Sequence, residues 1–167
     1  MISMRLLCLL LVVSAWTLPG CGYNFAGTAP VTLPQDVRML YIRDVHNPTQ
    51  EHWLDSYLRS NFQDEFTRRA EVSFVSEDQA ESWSRLEVNR YSTSERLTGA
   101  GDAQVRSDID IDLEATMFDS DTGDQIWSSG SVRGSSSFYE EPEERAAARE
   151  AVDEALRRIA DGLRQDF

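Results

Sequence analysis

The chain has 167 residues, with 16 basic and 29 acidic side chains and a formal net charge of −13. That length suits one domain with a modest core. That charge excludes a surface that binds nucleic acid or anionic lipid all over, so any polyanion has to meet a local basic patch.

The chain opens with Arg5, an apolar stretch from Leu6 to Trp16, and then Leu18-Pro19-Gly20-Cys21. The stretch is too short to span a bilayer comfortably, which takes about 20 apolar residues. A basic start, a short apolar core and a small residue before a cut make a secretory leader. The cysteine after the cut makes it a lipoprotein signal, with cleavage expected between Gly20 and Cys21. The Cys21 thiol is expected to carry diacylglycerol, and its freed amine a third acyl chain. The organisation read here is a cleaved leader over 1–20, a lipidated arm over 21–36 and one globular domain over 37–167. The arm is rich in Gly, Pro and Thr, as a tether is. Cys8 leaves with the leader and Cys21 is consumed by lipid, so the mature fold has no disulfide to lean on.

Val37 to Arg43 is a short apolar run that predicts a buried strand. Asn47, Pro48 and Gln50 predict a helix start, with Asn47 as cap, Pro48 in the first helical position and Gln50 reaching back. Trp53, Leu54, Tyr57, Leu58, Phe62 and Phe66 follow at helical spacing, up to about Arg69, and read as core. Val72 to Val75 predicts a second strand. The period then changes to two, with Leu86 and Val88 alternating with Arg85, Glu87 and Asn89. A Gly-containing loop is expected over 93–104. From Val105 to Met117 one face carries Val105, Ile109, Ile111, Leu113, Ala115 and Met117. The other carries Arg106, Asp108, Asp110, Asp112 and Glu114, the pattern of a half-buried antiparallel strand. A turn over 119–124 leads to a strand from Gln125 to about Ser136. The last segment predicts a helix, with Pro142 near its first turn and acids around it. Arg157, Arg158 and Arg164 lie toward its end, which suits the helix dipole. Val152, Leu156, Ile159 and Leu163 form its apolar face. The fold class expected is α+β, in the order β-α-β-β-β-β-α. It is a mixed sheet of four to five strands with two helices on one face, which leaves the acidic row on the polar face.

His46 and His52 are six apart across the helix start, and no mature cysteine joins them, so no metal site is expected. Asp119 to Asp124 has Gly123 where a calcium loop needs a ligand, and a hairpin turn explains it better. The row Asp108, Asp110, Asp112 has no pocket or partner base implied by the sequence, and the serines form no nucleophile elbow. The reading is a non-enzyme without a cofactor. One charge contrast stands out. From Arg85 to Arg106 there are four Arg against Glu87, Glu95 and Asp102, and Gln125 to Tyr139 holds Arg133 and no acid. Either these arginines pair with neighbouring acids or they make a local anion site.

With these residues in view, the chain resembles the LptE family of lipopolysaccharide-assembly lipoproteins. The likeness rests on Cys21-Gly22-Tyr23-Asn24-Phe25-Ala26-Gly27, on Leu33-Pro34, and on the strand Val37 to Arg43. It continues through Asn47-Pro48-Thr49 before Leu54 and Leu58, through Thr122-Gly123 before Ile126-Trp127, and into the C-terminal helix. The sequence departs from many relatives at Ala26, where they carry a basic residue. The resemblance implies an outer-membrane, periplasm-facing lipoprotein that plugs the lumen of the export barrel LptD, assists its assembly and can bind lipopolysaccharide. With that ligand implied, the charge contrast makes Arg90, Arg96, Arg106 and Arg133 the candidate lipopolysaccharide-binding residues, around a loop with Gly99 and Gly101. Two other classes stay open: a stand-alone periplasmic activator of a cell-wall enzyme, and a lipid-anchored ligand-binding module.

Overall fold

The computed structural model describes residues 33–98 and 104–163. The leader, Cys21, the arm up to residue 32, the loop glycines Gly99 and Gly101, and Arg164 lie outside the described residues. The elements are β1 (Met39–His46), α1 (Trp53–Arg69), β2 (Ser73–Phe74), β3 (Ser82–Thr98), β4 (Gln104–Asp119), β5 (Gln125–Ser128), β6 (Val132–Phe138) and α2 (Glu144–Gly162). The strands form one mixed sheet in the order β2-β1-β3-β4-β5, with β6 also on β4. β1 runs parallel to both β2 and β3, and the other pairings are antiparallel. Six strands therefore occupy five lanes, in the α+β arrangement expected.

The alternation in β4 does what period two dictates. Ile109, Ile111, Leu113, Ala115 and Met117 are buried in one cluster with Leu54, Leu58, Phe62 and Phe66 of α1 and Val152, Leu156 and Ile159 of α2. Both helices thus cover one face of the sheet. Val105 departs from the expectation: it is 44% exposed, because it lies beyond Ser107, the last residue of β4 that pairs with β6. Leu33 and Pro34, at the end of the arm, are buried, and Pro34–Asp36 form a 3-10 turn.

Three local expectations need correction. Asn47 and Pro48 do not open the helix, which begins at Trp53. The Asn47 Oδ1 accepts from the Thr49 amide at 3.1 Å and the Thr49 hydroxyl at 2.7 Å, and its Nδ2 donates to the Glu51 carbonyl at 3.0 Å and to Asp55 Oδ1 at 2.8 Å. A short amide side chain bonding nearby backbone competes with the helix, and here it holds a turn. The loop expected from Thr93 is strand as far as Thr98, because Thr93 to Thr98 pair one for one with Ile109 to Gln104. The single strand expected over Gln125 to Ser136 is two strands in one lane. Gly130 sits at φ +59° between them, while Ser129 still holds Ala115 through its N–H at 2.9 Å and its hydroxyl oxygen at 3.0 Å. This is a bulge, one lane interrupted rather than ended.

The turn over 119–124 is the hairpin read from sequence. Asp119 Oδ1 accepts from the amides of Asp121 and Thr122 at 2.9 and 2.8 Å, and Gly123 takes φ +76°. The Thr122 amide, first, and then that of Asp121 hold the Asp119 carboxyl below its ordinary range. The seam between β6 and α2 is close. A Cβ on Gly134 would overlap the Ala151 carbonyl oxygen and lie 2.8 Å from the Ala155 nitrogen. Buried alanines at 147, 148, 151 and 155 let the helix come this near.

The two edges of the hairpin region differ. β3 pairs with β1 only as far as Glu87. From Ser92 to Thr98 it hydrogen-bonds to β4 alone among the described residues.

Candidate functional site

The face opposite the helices carries the even-numbered residues of β4. The sheet register sets them in cross-strand rows: Arg90–Asp112–Arg133, Ser92–Asp110–Ser135 and Ser94–Asp108–Ser137, with Arg96 opposite Arg106 at the hairpin end. All four candidate arginines thus share one face. Each is also paired with an acid. Arg90 Nε and Arg133 Nε lie 2.9 Å from the two oxygens of Asp112. Arg106 Nε lies 2.9 Å from Asp108 Oδ1, and Arg96 Nε 3.1 Å from Asp108 Oδ2. The acidic row is therefore a row of carboxylates on the polar face, two of them bridged by the chain's own arginines.

The electrostatics follow from this geometry. The hydrogen bond from Arg133, helped by the charges of Arg133 and Arg90 and opposed by burial, holds the Asp112 carboxyl below its ordinary range. The same bond raises Arg133 above its ordinary value. In these cross-strand rows alone, four arginines meet Asp108, Asp110 and Asp112, on a chain at −13; Glu150 at the groove and Glu114 further along β4 offset the single positive charge in excess. A guanidinium has five N–H donors and a carboxylate about four lone-pair sites, so one carboxylate cannot satisfy two arginines. The surplus donors face solvent: the Arg96 side chain is 72% exposed, and the Asp108 side chain only 17%. Beside them an open groove of about 510 Å³ is lined by Arg96, Arg106, Asp108, Ser135, Ser137 and Glu150, among others. The next row along, past Asp112, is acidic, with Glu87 directly opposite Glu114, and beyond it Arg85 lies opposite Thr116.

A second cluster on this face was not read from the sequence. Trp83 stacks on Phe118 at 4.1 Å and 13°, and the Arg43 guanidinium lies 4.1 Å over the Trp83 ring. Arg43 also pairs with Glu77 at 2.8 Å. The available signal was phase, since Trp83 and Arg85 are out of step with Leu86 and Val88. His46 and His52 are both exposed and stand apart, one ending β1 and one flanking α1. No group of three His, Cys, Asp or Glu side chains that could hold a metal is present among the described residues.

The arrangement, arginine forks held by short-side-chain acids beside serine hydroxyls, suits recognition of an anionic group. Comparison with known proteins adds to this. Two solved structures share the fold. One is a minor lipoprotein from Acinetobacter baumannii, 12% identical over 77% of this chain and 92% of that one, with a TM-score of 0.51. The other is the hypothetical protein CT253 from Chlamydia trachomatis, 11% identical over 75% of this chain and 97% of that one, with a TM-score of 0.52. No curated protein matches in sequence. A family model described as LptE, lipopolysaccharide-assembly, matches residues 37–163. That span runs from the start of the first strand region to the end of the last helix, and on it the chain belongs to the LptE lipopolysaccharide-assembly family.

Proposed function

We propose that this protein is an outer-membrane lipoprotein, held by lipid on Cys21 with its body facing the periplasm. It plugs the lipopolysaccharide-export barrel LptD, assists assembly of that barrel, and binds lipopolysaccharide during insertion. The observation that carries the ligand part is the arginine face, where Arg90, Arg96, Arg106 and Arg133 gather at one end of the sheet of an acidic chain. Phosphate groups can approach there and are repelled elsewhere. Family membership supports the partner. The largely polar outer face of the sheet suits a water-lined lumen, and the role asks for no catalytic step. No helix among the described residues is long and apolar enough to cross a membrane; in this reading attachment falls to the acyl chains, at about 0.8 kcal/mol per buried methylene.

Extraction of the lipidated chain in mild detergent tests this. The expected result is co-purification of the barrel together with lipopolysaccharide and, in cells depleted of the barrel, release of Cys21→Ala into the soluble fraction. Recovery of the chain with no barrel would favour a stand-alone periplasmic module.

A further inference from the structure

The two aspartate bridges on the arginine face are alike in distance and unlike in surroundings. Asp112 is flanked across the sheet by its own two arginines, Arg90 and Arg133. Asp108 is flanked by Ser94 and Ser137, while its arginines come from the next row, Arg96 and Arg106. Asp108 therefore has two hydroxyl-bearing neighbours directly beside it in addition to its ion pairs, and Asp112 has none. The open groove includes Asp108, both its arginines and Ser137, with Asp110 also on its wall. A carboxylate and a phosphate offer the same paired oxygens to a guanidinium fork.

We propose that Asp108 is a displaceable internal counter-ion. It occupies the Arg96–Arg106 clamp in the empty protein and yields it to a phosphate group of the ligand, turning instead toward the hydroxyls of Ser94 and Ser137. The proposal rests on the reading that the arginine face binds lipopolysaccharide, and adds how the site is regulated. A phosphate monoester carries more negative charge than the single charge of Asp108 and three acceptor oxygens, so it competes well for donors the carboxylate leaves unmet. The exchange conserves the hydrogen bonds of Asp108 and keeps net affinity moderate. A protein that hands its ligand onward needs a bond it can release.

The sign of one substitution separates this idea from a structural ion pair. Asp108→Asn removes the resident charge and keeps the shape. Asp110→Asn adds the same net charge within the same groove, at a carboxylate that bridges no arginine pair. Both are made in the full lipidated chain in detergent, and binding of purified lipopolysaccharide is titrated against the same material with its phosphates removed. Asp108→Asn is expected to tighten binding of the phosphorylated form about tenfold, the scale of one partly screened unit charge at contact distance, while Asp110→Asn changes it less than about threefold. Asp108→Ser, which has no carbonyl to offer the arginines, is expected to match Asp108→Asn. Equal tightening by the 108 and 110 variants would reduce the effect to the general field and overturn the proposal. Weaker binding by both Asp108 variants would make the carboxylate a positioning group and also overturn it. If wild type binds, Arg96→Glu with Arg106→Glu abolishes binding, and the Asp108 variants are neutral, the proposal fails alone. If neither wild type nor any Asp108 variant binds, the ligand reading under Proposed function fails with it.

Discussion

Arg158 of α2 donates from a terminal nitrogen to the carbonyl oxygen of Arg133 in β6, 2.8 Å away. Glu154, one turn earlier, accepts from the Ser135 amide at 2.8 Å and pairs with Arg158 at 2.6 Å. Helix side chains thus satisfy backbone groups along the outer edge of β6, which would otherwise be open to a further strand. Arg158→Ala or Glu154→Ala should cost about 0.5–1.5 kcal/mol, the net worth of such a bond. Faster amide exchange at Ser135 in Glu154→Ala, seen by hydrogen exchange, is the specific sign. Unchanged exchange there would mean that the helix does not guard the edge.

Gly134 is where β6 and α2 touch through backbone. Gly134→Ala puts a methyl group into the Ala151 carbonyl, and overpacking against backbone should cost about 3 kcal/mol or more. Gly162→Ala, where a Cβ meets nothing within 4 Å, should instead gain a few tenths of a kcal/mol up to about 1. Urea unfolding of the two variants checks the contrast, and similar midpoints would contradict the close seam.

Tyr57 of α1 donates its hydroxyl to Asp153 Oδ1 of α2 at 3.1 Å. Burial, then the charge and hydrogen bond of Asp153, push the phenol from its ordinary value near 10 up to about 12. The fold therefore favours the protonated phenol. Its contribution is fully present below the unfolded value and is lost as pH rises from there through about 12. Thermal melts at about pH 9 and about pH 11.5 should show a larger loss in wild type than in Tyr57→Phe, since only wild type has this group to titrate. Equal losses would remove the helix–helix bond from the account.

Arg96→Glu with Arg106→Glu leaves Asp108 among like charges and reverses the hairpin end of the face. Lipopolysaccharide binding should fall, and the deficit should shrink as added salt screens the exposed charges. Barrel association should stay near wild type, and the melting midpoint should fall only slightly, because Arg96 is largely exposed and Arg106 partly so. Binding equal to wild type would place the ligand elsewhere.

Much of the fold is written locally. The alternation from Ile109 to Met117 and the helical spacing of Leu54, Leu58, Phe62 and Phe66 are periodic signals that need no knowledge of the rest of the chain. The start of α1 is not legible locally, because the Asn47 side chain bonds Thr49, Glu51 and Asp55 at once, a network that only the finished turn displays. The break at Gly130 is a matter of backbone conformation within an otherwise plausible strand. At the site, the sequence leaves open whether the arginines pair with neighbouring acids and names no partner for any of them. Their union depends on register: Arg90 and Arg133 reach Asp112 only because β3 and β6 flank β4 at that position. The Arg43–Trp83 contact joins β1 and β3, which lie far apart along the chain, and no local pattern announces it.

Among the described residues, β3 from Ser92 to Thr98 has a neighbour on one side only. Two molecules meeting along that rim could knit their sheets into one, and nothing in the polar side chains at Ser92, Thr93 and Ser94 dictates a single way to align. Glu95 and Arg96, both exposed there, set charge against such stacking. Salt weakens that defence. A chain enclosed singly by a partner never meets its own kind, whereas the same chain concentrated alone and at high ionic strength is exposed to self-association through this finger.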